Sequence, residues 1–136
     1  MNREIKFRGK DLVTGEWLYG HYMPPFFEGA SSFIWVPENC NDHWEYLNSQ
    51  VITDTVGQYT GLKDKNGVEI YEGDIMNDPT SKIFGLVEWN NILTQFQLSW
   101  QNMPTTVDIF FMVKNGSLVI GNIHDNPELI NRKEKK

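Results

Sequence analysis

The stretch from Gln58 to Ile75, QYTGLKDKNGVEIYEGDI, most constrains what this chain can become. Asn66-Gly67 is a two-residue hairpin signal, because both residues tolerate positive φ. Glu72-Gly73-Asp74 is a second turn, and it delivers the chain into the apolar pair Ile75-Met76. Val68, Ile70 and Tyr71 supply apolar surface between the turns. A segment that reverses twice in so short a span cannot belong to a long helix, and it makes this region the pivot of a β-rich domain.

The flanking sequence repeats that logic. Arg3 to Arg8 alternates with period two, Ile5 and Phe7 facing one way and Glu4, Lys6 and Arg8 the other. Thr14-Gly15 turns the chain into Trp17–Tyr22, where Trp17, Tyr19 and His21 share a face, so an antiparallel hairpin is expected. Ser32–Val36 reads as a third strand that Pro37 stops. Glu38 to Asn48 is unpatterned and reads as a long surface loop. Val51-Ile52 can form a short strand, and Leu62 to Lys65 reads as a helical turn or loop. Further on, Asp74–Asn77, Ile83–Asn90, Gln95–Trp100 and Leu118–Ile123 read as strands. Phe96, Leu98 and Trp100 are expected to face inward. Val107–Val113 fits a strand but is apolar on both faces. Asn126-Pro127 predicts a short helix start, with Asn126 as N-cap.

With no helical stripe longer than a turn or two, the predicted class is all-β, built from short antiparallel strands. The strand order after the pivot would suit a small SH3-like barrel in the C-terminal half, with an N-terminal added sheet. The 136 residues suffice for a single domain, with lobes expected at 1–55 and 56–130 and a basic tail at 131–136. Five Trp, eight Phe and five Tyr provide the large side chains that such a core needs.

Composition narrows function. A net charge of −6 opposes bulk attraction to a phosphate backbone, so nucleic acid is a secondary expectation, resting on the barrel-like order and the tail Arg132-Lys133-Glu134-Lys135-Lys136. A lone Cys40 cannot form an internal disulfide. Met1–Lys10 has no apolar stretch of the signal-peptide kind, and no run approaches a membrane span. The expected setting is a reducing cytoplasm, without membrane association. Asn115-Gly116-Ser117, a glycosylation sequon by spelling, then reads as a turn.

Several blocks resemble one family. Arg3-Glu4-Ile5-Lys6-Phe7-Arg8-Gly9-Lys10 looks like the start of the YopX family of phage and prophage proteins. Thr55–Gly67 (TVGQYTGLKDKNG) resembles its central motif, and Ile70-Tyr71-Glu72-Gly73-Asp74-Ile75 continues it. Gly85–Trp89 (GLVEW) and Val119–Leu129 (VIGNIHDNPEL) resemble its later blocks. Residues 23–50 and 103–114 match no block. The resemblance implies a small, mostly β bacterial protein, often prophage-encoded. The family has no established activity, so no catalytic residue is carried over.

The residues themselves offer few chemical constellations. Cys40, Asp42 and His43 have ligand-like spacing, but a structural zinc usually needs four Cys or His ligands. Asp64-Lys65-Asn66-Gly67 resembles part of a calcium loop but lacks the later carboxylates, and a type I′ turn explains it better. Glu69, Glu72, Asp74 and Glu88 are the carboxylates available for acid–base work, which needs a cleft to hold a pair. No metal or cofactor is expected. Tyr59, Tyr71 and Trp89, with Glu72 and Asp74, form the candidate interaction surface, core packing being the competing role for the aromatics. The leading expectation is a non-enzymatic protein-interaction or assembly module that can form homo-oligomers. Nucleic-acid binding is the first alternative, and a small enzyme using Glu72, Asp74 or Glu88 is the second.

Overall fold

The structure, a computed structural model, describes residues 4–40, 43–78, 84–100 and 106–130, and between 37 and 48 it describes backbone alone. Eleven strands are described: β1 (Phe7–Lys10), β2 (Trp17–Met23), β3 (Ser32–Cys40), β4 (His43–Val51), β5 (Gly57–Lys63), β6 (Glu69–Tyr71), β7 (Asp74–Asn77), β8 (Phe84–Asn90), β9 (Gln95–Ser99), β10 (Thr106–Asp108) and β11 (Val119–Asn122). One helix, α1 (Ile109–Lys114), and 3-10 turns at Thr53–Thr55 and Pro127–Leu129 complete the set. The strands form two sheets, ordered β4-β3-β2-β1-β5-β6 and β10-β9-β8-β7-β11, and every register described is antiparallel. The chain divides into two compact units, Met1–Tyr59 and Thr60–Lys136, the boundary falling within β5.

In the first unit β1 and β2 pair as the expected antiparallel hairpin, Arg8 opposite Tyr19 and Lys10 opposite Trp17, but β1 begins only at Phe7, and Ile5 is exposed while Arg8 is buried, so the alternation of residues 3–8 does not give the buried side. Asp11 organises the connecting loop: its carboxylate accepts the N–H groups of Val13 at 2.8 Å and Thr14 at 3.0 Å. Gly20 marks a close approach of β2 to β3. A Cβ there would sit 2.1 Å from the Trp35 carbonyl oxygen, which no side chain can tolerate. Ile34 and Val51 are buried in this unit, and the buried Ser32 hydroxyl bonds the Thr53 hydroxyl at 2.7 Å.

In the second unit, Ile70, Met76, Val87, Leu98, Ile109 and Met112 form the buried core. Leu62, Phe96, Trp100, Val107, Val113 and Val119 pack against it. Period two carries these residues inward: Val87 faces Leu98, which also faces Val107. At β11 the register slips between Val119 and Gly121, leaving Ile120 as a bulge residue.

Five expectations are corrected. The described strands of the C-terminal half form an open five-stranded sheet with β10 and β11 at its edges, and no closed barrel is described. Residues 109–114 are helical rather than extended. Ile109 and Met112, three apart, share the buried side, and the Asp108 carboxylate caps the start by accepting the Phe110 N–H at 2.8 Å. Glu38–Asn48 is largely hairpin rather than loop. The β3–β4 register runs unbroken from Ser32↔Val51 to Cys40↔His43, because ladder bonds are made by backbone and need no apolar pattern. Pro37 therefore does not end its strand. The β2–β3 register runs only as far as Trp35, so at Pro37 one edge of β3 lies outside that ladder and a missing N–H is tolerated. Finally, Leu62 and Lys63 extend β5 instead of forming a helical turn.

Candidate interaction surfaces

The Asn66-Gly67 turn is built around Asp64. Only Gly67 of the pair has positive φ, at 83°. The Gly67 N–H bonds the Asp64 carbonyl at 2.9 Å, and the Asp64 N–H bonds the Val68 carbonyl at 2.9 Å. That pattern is a three-residue loop with a left-handed glycine, not the two-residue type I′ turn expected from the dipeptide. Asp64 is buried, and its side chain accepts three backbone N–H groups: Asn66 at 2.9 Å, Val68 at 3.0 Å and, across the unit, Val119 at 3.1 Å. Donors occupy both carboxylate oxygens, so Asp64 acts as a clamp between the turn and β11.

The Glu72-Gly73-Asp74 turn is built the same way. Gly73 takes φ 91°, and its N–H bonds the Val87 carbonyl at 2.9 Å while its own carbonyl accepts the Ile123 N–H at 2.8 Å. The buried Asp74 carboxylate accepts the Tyr71 N–H at 2.8 Å, and the Tyr71 hydroxyl donates to Glu69 at 3.1 Å. His124 borders this turn, its Nε2 lying 3.5 Å from where a Gly73 Cβ would be.

The GNIHDNPEL block is a self-bonded loop. The Asn122 side-chain oxygen accepts the N–H groups of His124 and Asp125, and the Asn126 side-chain oxygen accepts the Asn122 N–H. A Cβ on Gly121 would lie 2.6 Å from that Asn126 oxygen, so glycine belongs to the motif. Asn126 precedes the 3-10 turn as expected, but its side chain makes no cap bond there because it is spent on Asn122.

Tyr59, Tyr71 and Asp74 are buried, Glu72 is half-buried, and Trp89 is 42% exposed. Of the candidate surface set, only Trp89 and part of Glu72 therefore remain at the surface. Trp89 stacks edge-on against Phe96, 4.9 Å between ring centres, and the two carry the Val87–Leu98 face outward along the β8–β9 hairpin. At the end of that hairpin Ile92 is 91% exposed and Leu93 57%. The loop is held open by the Asn90 side chain, which accepts the N–H groups of Ile92 at 2.9 Å and Leu93 at 3.0 Å, and by Thr94 at φ 51°. Sequence reasoning passed over this pair, although two consecutive apolar residues in an Asn-led turn run against ordinary turn chemistry.

The proposed catalytic carboxylates have structural partners. Glu69 and Asp74 are bonded as described, and Glu88 accepts a long contact of 3.4 Å from Gln97, which is itself held by Asn90 at 2.8 Å. Among the described residues, no group of three or more His, Cys, Asp and Glu side chains is placed to hold a metal ion. The side chains of Cys40, Asp42 and His43, and the tail from Asn131 onward, lie outside the described residues. No helix among the described residues is long and apolar enough to cross a membrane.

A second surface lies on the first unit. Lys6, just before β1, and Arg8 and Lys10 on it alternate along one face. The Arg8 guanidinium carbon lies 4.5 Å from the centre of the Trp17 ring, Lys10 Nζ 5.4 Å from that ring and Lys6 Nζ 5.2 Å from Tyr59. The period-two reading of residues 3–8 placed two of these cations together; the register with Trp17 and Tyr59 came only from the sheet.

No curated protein matches the chain. Among solved structures it is similar to protein EF1440 from Enterococcus faecalis, at 26% identity and a TM-score of 0.57, with 93% of this chain and 98% of that one covered. The family model for the YopX protein matches residues 6–131. That match takes in both sheets, the Asp64 clamp and the self-bonded loop at Asn122, and the chain accordingly belongs to the YopX family.

Proposed function

We propose that the chain is a non-enzymatic protein-interaction module of the phage type, working inside a bacterial cell, with copies of itself among its partners. The observation that supports this reading is the β8–β9 hairpin end. Ile92 and Leu93 stand in solvent, backed by the half-exposed Trp89, on a loop whose backbone is fixed by Asn90. Holding apolar side chains outward on a fixed scaffold is disfavoured for a surface that meets only water, and such patches mark contact sites. Among the described strands, β10 stands at one edge of the five-stranded sheet, a position at which a partner's strand can add.

The test is sedimentation velocity across a micromolar concentration series. The wild-type chain is expected to associate with rising concentration, and the Ile92→Asp/Leu93→Asp double variant to remain monomeric with an unchanged unfolding midpoint. A wild-type chain that stays monomeric throughout removes self-association. An associating double variant removes the hairpin end as its site.

A further inference from the structure

We infer that the outer side of α1 is a self-complementary face on which a second copy of this chain docks antiparallel. The inference rests on the self-association proposed above and adds a second element to the same interface. Ile109 and Met112 are buried in the core, and Val113 packs against it. At 3.6 residues per turn the remaining positions, Phe110, Phe111 and Lys114, come together on the opposite side. Phe110 is 54% exposed and Phe111 59%. Two adjoining phenylalanines turned to solvent, on a helix whose inward positions are already filled, are surplus to folding.

This face runs into the hairpin end. β10 passes from Thr106 beside Ser99 to Asp108 beside Gln97, while β8 and β9 continue to Trp89 beside Phe96 and Asn90 beside Gln95. The chain therefore enters α1 at the end of the sheet that carries Ile92 and Leu93. Val87 and Leu98 face the core that holds Ile109 and Met112, and Trp89 and Phe96, two residues further along, keep to that face. Helix and aromatic pair thus share one side of the sheet. At about 200 Å² for a large side chain, the exposed parts of Phe110, Phe111, Trp89, Ile92 and Leu93 come to roughly 600 Å² per copy. Two copies bury about 1,200 Å² in this way, the lower end of a specific interface, and either the helix rings or the hairpin end alone fall well short of it.

Charge fixes the partner and its direction. Asp108 at the start of α1 and Lys114 at its end are both exposed, about 9 Å apart along the axis. Asp108 uses one carboxylate oxygen to cap the helix, accepting the Phe110 N–H, and Lys114 Nζ lies 5.4 Å from the centre of the Phe110 ring. Among the described residues neither enters an ion pair. The face therefore reads acid, two rings, base. Turned end for end by a two-fold axis, it sets Asp108 beside the second copy's Lys114 twice over, with four rings between the pairs. A parallel arrangement sets like charges together. A face that is its own complement needs no other protein to supply the pattern.

The experiment is sedimentation velocity of the whole chain over a micromolar series, beside thermal unfolding of each variant. Wild type is expected to form a dimer that does not grow further. Phe110→Ser/Phe111→Ser is expected to remain monomeric with its unfolding midpoint close to that of wild type, both rings being more than half exposed. Lys114→Glu sets carboxylates together at each end and is expected to weaken the dimer at least about tenfold. Adding Asp108→Asn relieves that repulsion while keeping a helix-capping side chain, and is expected to recover most of the loss. A Lys114→Glu effect that Asp108→Asn leaves unrelieved overturns the antiparallel docking. So does a Phe110→Ser/Phe111→Ser chain that still dimerises, or a wild type that grows into open-ended assemblies, which a two-fold axis does not produce. If the helix variant is monomeric while Ile92→Asp/Leu93→Asp dimerises, the helix face stands and the hairpin end falls. The reverse pair of results keeps the hairpin end and removes the helix face, and a wild type that stays monomeric removes both.

Discussion

Single carboxylates set the local geometry at several turns, and their removal has distinguishable consequences. Asp64 is buried and satisfies three backbone N–H groups, one of them on β11. Asp64→Ala is expected to cost about 3 kcal/mol, since charged acceptors are worth more than neutral ones and the orphaned N–H groups remain. Chemical denaturation measures it. Asp11 behaves differently because it is only half-buried. The N–H groups of Thr14 and Val13 hold its carboxyl below the usual range. A depressed folded-state pKa stabilises above the unfolded value, and the contribution is lost as pH falls through the folded one. The stability gap between wild type and Asp11→Asn should thus be full above about pH 5 and close progressively below about pH 4. A gap that widens on acidification would contradict the hydrogen-bond origin.

At the scale of elements, two backbone positions carry opposite predictions. Gly20 lies against the Trp35 carbonyl, so Gly20→Ala must separate β2 from β3. A loss exceeding about 4 kcal/mol is expected, the range reserved for broken packing rather than altered propensity. Thr94 adopts φ 51°, a conformation that a β-branched residue rarely takes. Thr94→Gly relieves that cost while adding unfolded-state freedom, and the balance predicts a gain of up to about 1 kcal/mol. Thermal unfolding of the two variants should therefore move in opposite directions. The helix α1 is too short to hold itself and depends on Ile109 and Met112 packing into the core.

For the molecule as a whole, the core of the second unit rests on residues far apart in sequence. Leu98 is fully buried among Val87, Met76 and Ile109. Leu98→Ala should cost about 2–5 kcal/mol, with the residual cavity deciding where in that range it falls. If the two compact units unfold independently, amide exchange in β2 should be unaffected by that substitution while exchange in β8 accelerates. The proposed contact at the apolar hairpin end belongs to the second unit.

Strands with one buried face were legible from sequence, because period two is written in the side chains. This holds for β8 against β9, whereas for β1 the partner was legible but the buried side was not, Arg8 being buried and Ile5 exposed. The Asp74–Asn77 strand appears with its expected bounds, with Asp74, Ile75 and Met76 all buried. What was not legible is what backbone or distant contacts decide. β4 lacks an apolar pattern because its ladder bonds are made by backbone groups. Residues 109–114 are apolar on both faces, so only the Asp108 cap and the available core separated helix from strand. Tyr59, Tyr71 and Asp74 look like surface candidates in a list of residue types, and burial set them inside. The order of strands, and with it the meeting of Lys10 and Arg8 with Trp17, is a property of pairing between segments that local pattern cannot rank, since many pairings bury the same alternating faces.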